Sequence, residues 1–321
     1  MIHTPETEAA FARFVTILGR GPGRSRALTR AEAREAFAMV LAGQADPHQV
    51  GAFMMLLRFR GEDADEIAGM AEAARSALGL EGTPIADLDW PSYGAGRTRG
   101  APWYLLAALA LGRAGIAVLM HGSNDFSAGI GVGQGLAALG IPACGDRVEA
   151  IAAIRDRGFA YLPLAAMAPP VEQLLGLRRL FGLRSPVNTV ARLLNLGNAP
   201  AGVDGVFHPA YIDVHLGVAE RMGRPGLLVL KGGGGEAERV PLKPATVHVW
   251  RDGTRSELTL AAVEGLEAPT PREETADMLR AVWVGEAAPP TALATILATI
   301  ELGLIATGRA GDAAAIWRGR R

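Results

Sequence analysis

An α/β fold in two parts, a small all-helical domain and a larger α/β domain with a mostly parallel central sheet flanked by helices, is what three features of this 321-residue sequence predict. Residues 1–75 carry helix caps and helically spaced apolar stripes. From about residue 85, short apolar runs ending in glycine alternate with helical segments, the pattern of parallel strands covered by helices. Residues 169–196 then return to the helical pattern, so they are expected to pack with the N-terminal bundle. The domains are placed at 1–80 plus about 166–196, and at 81–165 plus 197–321.

Each element has a local reason. Thr29-Arg30-Ala31-Glu32 is a capping box, in which the threonine hydroxyl accepts from a free first-turn N–H and the glutamate reaches back. The helix it opens should end near Gly43. Asp46-Pro47-His48-Gln49 repeats the device, with an acid at the cap and proline at the first helical position. Val50, Phe53, Met54 and Leu57 then make one apolar stripe, and Arg58 and Arg60 suit the carbonyl end. After the Gly61 turn a further helix runs from Ala64 to Ser76. Ile116–Gly122 and Gly226–Gly235 are runs of strand length ending in glycine; Trp103–Ala114 and Ala210–Met222, the latter behind Pro209, are helices. Pro169–Leu196 reads as helices broken at Gly182 and Pro186. Ligands of such sheets lie beyond the carboxyl ends of the strands, so the glycine loops after Pro91, Met120 and Lys231 should converge on one crevice.

Composition narrows the function. With 49% hydrophobic and 20% charged residues the chain can bury a substantial core. The one cysteine, Cys144, excludes an internal disulfide framework and a multi-thiolate metal site, and reads as a small buried hydrophobe. His48, His208, His215 and His248 lack metal-ligand spacing and read as surface positions of helices or strands. Acidic residues stand where a secretory signal needs a basic stretch, and Pro289, Pro290 and Glu301 interrupt the apolar segment Ala287–Thr307, so a cytoplasmic protein without membrane contact is expected. The net charge of −1 argues against nucleic-acid binding, but the charges are segregated. Lys231 and Lys243 are the only lysines, and Phe11–Arg30, Trp90–Asn124 and Gln173–Val203 together hold twelve arginines and no acid. That distribution focuses a positive field on a neutral molecule.

The order of segments resembles the glycosyltransferase family that contains anthranilate phosphoribosyltransferase and the pyrimidine nucleoside phosphorylases. "LTRAEAREAFAMVLAGQADPHQVGAFMMLLRFRGEDADEIAGMAEAAR" is similar to the family's helical N-terminal domain, and "LMHGSNDFSAGIGVGQGLAALG" to its Lys-His-Gly-Asn segment and following helix. "GLRSPVNTVARLLNLGNAP" is similar to its Arg-Thr-Ile-Phe-Asn-Leu-Leu-Gly-Pro-Leu segment, and "GVFHPAYIDVHLGVAERMGRPGLLVLKG" to the helix and strand before its metal motif. The likeness runs from about Leu28 to Arg309. It implies a helical domain joined to an α/β domain with a cleft between them, and a homodimer through the helical part.

The resemblance also implies a chemistry: transfer of phosphoribose from phosphoribosyl diphosphate (PRPP), in which backbone N–H groups and magnesium stabilise the leaving pyrophosphate. The family's Gly-Thr-Gly-Gly-Asp loop is here Gly94-Ala95-Gly96-Arg97-Thr98, followed by Arg99, and its hydroxyl-bearing segment reads Pro102-Trp103-Tyr104-Leu105. Lys-His-Gly-Asn has become Met120-His121-Gly122-Ser123, with Asn124 behind it. The magnesium-holding Asp-Glu pair falls near Gly235-Glu236-Ala237, which leaves Glu236 as the metal candidate. Lys231, Gly232 and Gly233 complete the phosphate or polyanion contacts. Arg184 and Asn188 match the family's acceptor-holding arginine and the asparagine after it, and Arg20, Arg24 and Arg179 are the further groove arginines.

Mobile guanidinium groups in place of fixed donors suit an extended polyanion, single-stranded nucleic acid above all, gripped in an arginine-lined groove, with Trp103 and Tyr104 as stacking faces or as core. This is the expected function, in an anthranilate phosphoribosyltransferase-like protein with a degraded diphosphate and magnesium site and no assigned catalytic residue. The alternative is an active pentosyltransferase, with magnesium if PRPP is bound. A catalytically silent dimer that binds another protein is a third reading.

Overall fold

The computed structural model describes residues 3–21, 23–94, 100–123, 129–270 and 273–320. It divides into two compact units: Met1–Glu81 with Ala168–Leu194 and Asp213–Gly223, and Gly82–Met167 with Asn195–Ile212 and Arg224–Arg321.

Unit 1 is helical. Its first four helices are α1 (Pro5–Gly19), α2 (Arg30–Leu41), α3 (Pro47–Arg60) and α4 (Ala64–Ala77). Each opens on a reciprocal capping box, at Thr4, Thr29, Asp46 and Asp63. At the second of these, Arg26 forks onto Glu32 through two contacts of 2.7 Å, and that hydrogen bonding is the main reason the Glu32 carboxyl is lowered to about 2. Phe11, Phe14, Phe37, Phe53, Met54 and Leu57 form the core, with Phe11 edge-on to Phe14 and Phe53. α2 and α4 pack tightly enough that a Cβ on Gly69 would overlap the Arg30 carbonyl. Glu66 is sealed in this unit; it accepts from Leu28 N–H at 2.9 Å and Asp63 N–H at 3.1 Å, and burial pushes its carboxyl pKa up. The later segment supplies helices Pro169–Gly176, Arg178–Phe181 and Val187–Arg192, with Gly182 at φ 66° closing the second. Arg221 forks onto Asp65 at 2.7 and 2.9 Å.

Unit 2 is built on a seven-stranded sheet of order β3-β2-β1-β4-β5-β6-β7. The strands are β1 (Leu88–Ser92), β2 (Val118–Gly122), β3 (Phe159–Pro163), β4 (Ala201–Val206), β5 (Gly226–Lys231), β6 (Ala245–Arg251) and β7 (Thr254–Leu260). The first five are parallel; β6 and β7 add an antiparallel edge joined by an Asp252-Gly253 turn with both φ positive. β5 stops at Lys231, and Gly233–Gly235 form a tight turn, where the sequence had suggested strand to Gly235. Helix α5 (Trp103–Arg113) is buried at ten of its eleven positions because it lies between the sheet and helix Pro290–Thr307. That second helix is long and apolar enough to cross a membrane by composition, yet 61% of it is buried inside the structure, as befits a core helix. From β1 the chain builds β2 and β3 on one side of the sheet and β4 onward on the other. The order reverses between β1 and β4, and in such sheets the crevice beyond the carboxyl ends at the reversal is where ligands bind.

Candidate functional site

The carboxyl end of β1 is where the expected glycine loops meet. β1 pairs with β4 only at Leu88 and Asp89, and Pro91 has no N–H to give, so the backbone leaves the ladder before the strand ends. The next donors, the N–H groups of Tyr93 and Gly94, both go to Glu236 Oε1, the first at 3.1 Å. Glu236 is fully buried. Its backbone sits in a notch made by two glycines, since a Cβ on Gly205 of β4 or Gly232 would overlap the Glu236 carbonyl. On the other flank a Cβ on Gly122 would overlap the Ser92 carbonyl. The glycines of β2, β4 and the β5 loop thus serve close backbone approach.

Beneath this end runs a line of buried polar groups. Arg224 donates to Asp89 Oδ2 at 3.1 Å, Asp89 Oδ1 lies 3.2 Å from His121 Nε2, and His121 Nδ1 lies 2.9 Å from the Tyr93 hydroxyl. Asp89 and His121 are at most 1% exposed. Burial alone would raise the Asp89 carboxyl, but the His121 and Arg224 charges beside it, with their hydrogen bonds, hold it below the usual carboxylate range.

At the start of α5 the stacking faces proposed from the sequence are absent: Trp103 and Tyr104 are 4% and 2% exposed. They are core residues because α5 is apolar all round, and Tyr104 bonds Ser92 Oγ at 2.9 Å. Pro102 caps α5 with no side-chain bond; the Tyr104 N–H goes to Glu238 Oε2 at 3.0 Å. Glu238, which sequence reasoning passed over, lines a cavity of about 380 Å³ together with Trp103, Phe207, Gly233, Gly234 and Thr295. Its signal was the acid two residues after Glu236 on the same loop.

The expected residues divide between the units. Gly94, His121, Gly122, Ser123, Lys231, Gly232, Gly233 and Glu236 belong to unit 2, with Lys231 exposed and Ser123 buried. Ala95, Gly96, Arg97, Thr98, Arg99 and Asn124 lie outside the described residues. Arg20, Arg24, Arg179, Arg184 and Asn188 belong to unit 1; Arg20, Arg24 and Arg179 are exposed, and Asn188 Oδ1 accepts from Ser185 N–H at 3.2 Å. Cys144 is buried, and burial pushes its thiol pKa up. His215 is 1% exposed, against its reading as a surface histidine.

A dedicated magnesium pair does not fit this arrangement. Ala237 stands between Glu236 and Glu238, and each of those carboxylates already accepts from main-chain N–H groups. Magnesium takes few protein ligands but needs their oxygens turned toward it. Among the described residues, the one cluster with three ligand atoms within 4.8 Å of one another is His3, Glu8 and Asp46 in unit 1.

The buried charge line sets a stability prediction. Arg224→Met leaves Asp89 short of a compensating charge and is expected to cost about 3–5 kcal/mol in urea unfolding at neutral pH. Because the folded Asp89 carboxyl titrates below its unfolded value, its stabilisation is full at neutral pH and is lost as pH falls below about 4. Asp89→Asn should flatten that acid limb in thermal melts taken against pH.

Comparison with known proteins places the chain. Residues 14–78 match the model of the glycosyl transferase family helical bundle domain, and residues 104–316 that of the family's a/b domain. The anthranilate phosphoribosyltransferase of Beijerinckia indica is 30% identical over 78% of this chain and 72% of its own length. That of Rhodopseudomonas palustris is 30% identical over 93% and 90%. The crystal structure of anthranilate phosphoribosyltransferase from Thermus thermophilus superposes with a TM-score of 0.75 at 25% identity, covering 97% of this chain and 93% of that one. The enzyme from Saccharomyces cerevisiae in complex with PRPP and Mg shares the fold, with a TM-score of 0.73 at 17% identity over 98% of this chain and 93% of that one. The chain therefore belongs to the glycosyl transferase family of this helical bundle and a/b domain, as an anthranilate phosphoribosyltransferase-like member.

Proposed function

We propose that the protein is a pentosyltransferase, moving phosphoribose from PRPP to an aromatic or nitrogenous acceptor. The observation that carries this reading is the meeting of the β1, β2 and β5 ends at the crevice where the sheet order reverses, in a chain whose curated relatives are anthranilate phosphoribosyltransferases. Transfer breaks the bond from the ribose C1 to the leaving pyrophosphate and forms a C1–nitrogen bond, while the acceptor nitrogen gives up a proton. On this reading the β1 end, held by Glu236 and by the Asp89–His121–Tyr93 line, keeps the glycine loops in fixed positions. Magnesium, whose charge would neutralise the leaving group, would ride on the phosphates of PRPP and its own waters. Arg184 and Asn188 would hold the acceptor, as the family resemblance implies.

Mixing the protein with PRPP, magnesium and anthranilate is expected to consume anthranilate fluorescence. Arg184→Ala should raise the acceptor KM about tenfold to a hundredfold, the loss of a charge-assisted contact. Calorimetry that gives no heat with PRPP and magnesium, together with no turnover across aromatic and nitrogenous acceptors, would sink the reading.

A second reading, binding of single-stranded nucleic acid or another polyanion, is favoured by the exposed Arg20, Arg24 and Arg179 in acid-free stretches of unit 1. The structure narrows that set, because Arg13, Arg26 and Arg30 are paired with Glu35, Glu32 and Glu72. Phosphate contacts make affinity fall steeply with salt. A labelled single strand that binds at low salt and is released at moderate salt supports this reading; binding absent at both, or insensitive to salt, removes it.

The homodimer implied by the family resemblance would use unit 1, where Phe59, Leu180 and Leu183 are 91%, 80% and 55% exposed. Light scattering should give the mass of two chains, and Phe59→Glu combined with Leu180→Glu the mass of one. A monomeric wild type would exclude it.

A further inference from the structure

We propose that Glu236 and Glu238 form an internal anion that fills the main-chain donors at the end of β1 and the Tyr104 N–H at the start of α5, so that a diphosphate reaches that α5 donor only by displacing Glu238. The inference rests on the reading that this site takes PRPP, and it says what that ligand must overcome.

Two independent contacts carry it. Glu236 Oε1 takes the Tyr93 and Gly94 N–H groups, and Glu238 Oε2 takes the Tyr104 N–H at 3.0 Å. Tyr104 is the second residue of the eleven-residue α5, whose own cap residue supplies no side-chain bond. The Trp103 and Leu105 N–H groups turn back onto the Ala101 and Pro102 carbonyls, so the Tyr104 N–H is the first-turn donor that meets an anion, where the helix dipole also favours negative charge, and a carboxylate satisfies it as a phosphate oxygen would. The two carboxylates differ in how firmly they are held. Glu236 and Ala237 are fully buried, with the Glu236 backbone seated against Gly205 and Gly232. Glu238 is partly exposed and faces the cavity beside Gly233, where an added Cβ would meet nothing. The fixed half keeps the β1 end closed to phosphate, and the accessible half is the one a ligand can replace. Two anions cannot share one set of donors without mutual repulsion, and the tethered one has a high effective concentration. Glu238 therefore sets the threshold for anion entry and discriminates against weak anions.

Calorimetry with inorganic pyrophosphate in EDTA, free of magnesium, tests this on the full chain. Glu238→Ala should bind pyrophosphate about tenfold or more tighter than wild type, the equivalent of recovering one charge-assisted contact and removing one repulsion. Glu238→Gln, whose amide oxygen can still accept from Tyr104, keeps the test decisive if the alanine variant folds poorly, and should bind tighter than wild type by a smaller factor. Equal or weaker binding by the folded variants overturns the proposal, weaker binding being what a ligand-holding carboxylate would give. Failure here is separable from failure of the transferase reading. A wild type that turns over no PRPP while Glu238→Gln gains pyrophosphate leaves the internal anion standing; turnover without that gain removes it.

Discussion

Two amide donors at the buried end of β1 must find an acceptor after the sheet has stopped offering one. A buried N–H left unmet costs on the order of 1–3 kcal/mol, enough to threaten a fold whose total stability is of order 10 kcal/mol. Glu236 meets both, and much of unit 2 follows from placing it there. Its loop must return from the end of β5 to β1, which requires close passage over β4 and explains glycine at 205 and 232. The crevice of this sheet is thus shaped by the chain's own carboxylate.

The charge line below works in the same direction. Asp89 is held ionised by an arginine on one side and a histidine on the other, and the histidine ties the hydroxyl of Tyr93, whose N–H is already tied to Glu236. Tyr93 is therefore fixed at both ends. A loop following such a residue starts from a defined direction, the condition for positioning a ligand without spending binding energy on ordering.

The helices were readable because caps are local: Thr29 with Glu32 and Asp46 with Gln49 each lie within one turn, and the structure starts α2 and α3 after those caps. The alternation that gave the sheet and its crevice was readable for the same reason. What escaped was long-range. Glu236 lies 142 residues from Gly94, so the sequence offered it as a metal candidate with nothing to show that its carboxylate meets backbone amides. The glycine run after Lys231 read as an approach to some partner, and the partner of Gly232 is the Glu236 backbone itself. Trp103 and Tyr104 read as core residues first and as stacking faces second, and the structure buries both in α5, which packs against helix Pro290–Thr307, nearly 200 residues later. The antiparallel edge was written locally, in Asp252-Gly253, but the parallel pattern dominated the reading.

That edge has a bearing on handling the molecule. β7 is exposed along its length except at Leu260, and carries Arg255 and Glu257 where an uncharged strand would invite further pairing. It shields β6 while adding little to the interior. The Asp252-Gly253 tip is consequently a natural position for a grafted peptide or a fluorophore, remote in the sheet order from β1 and its crevice.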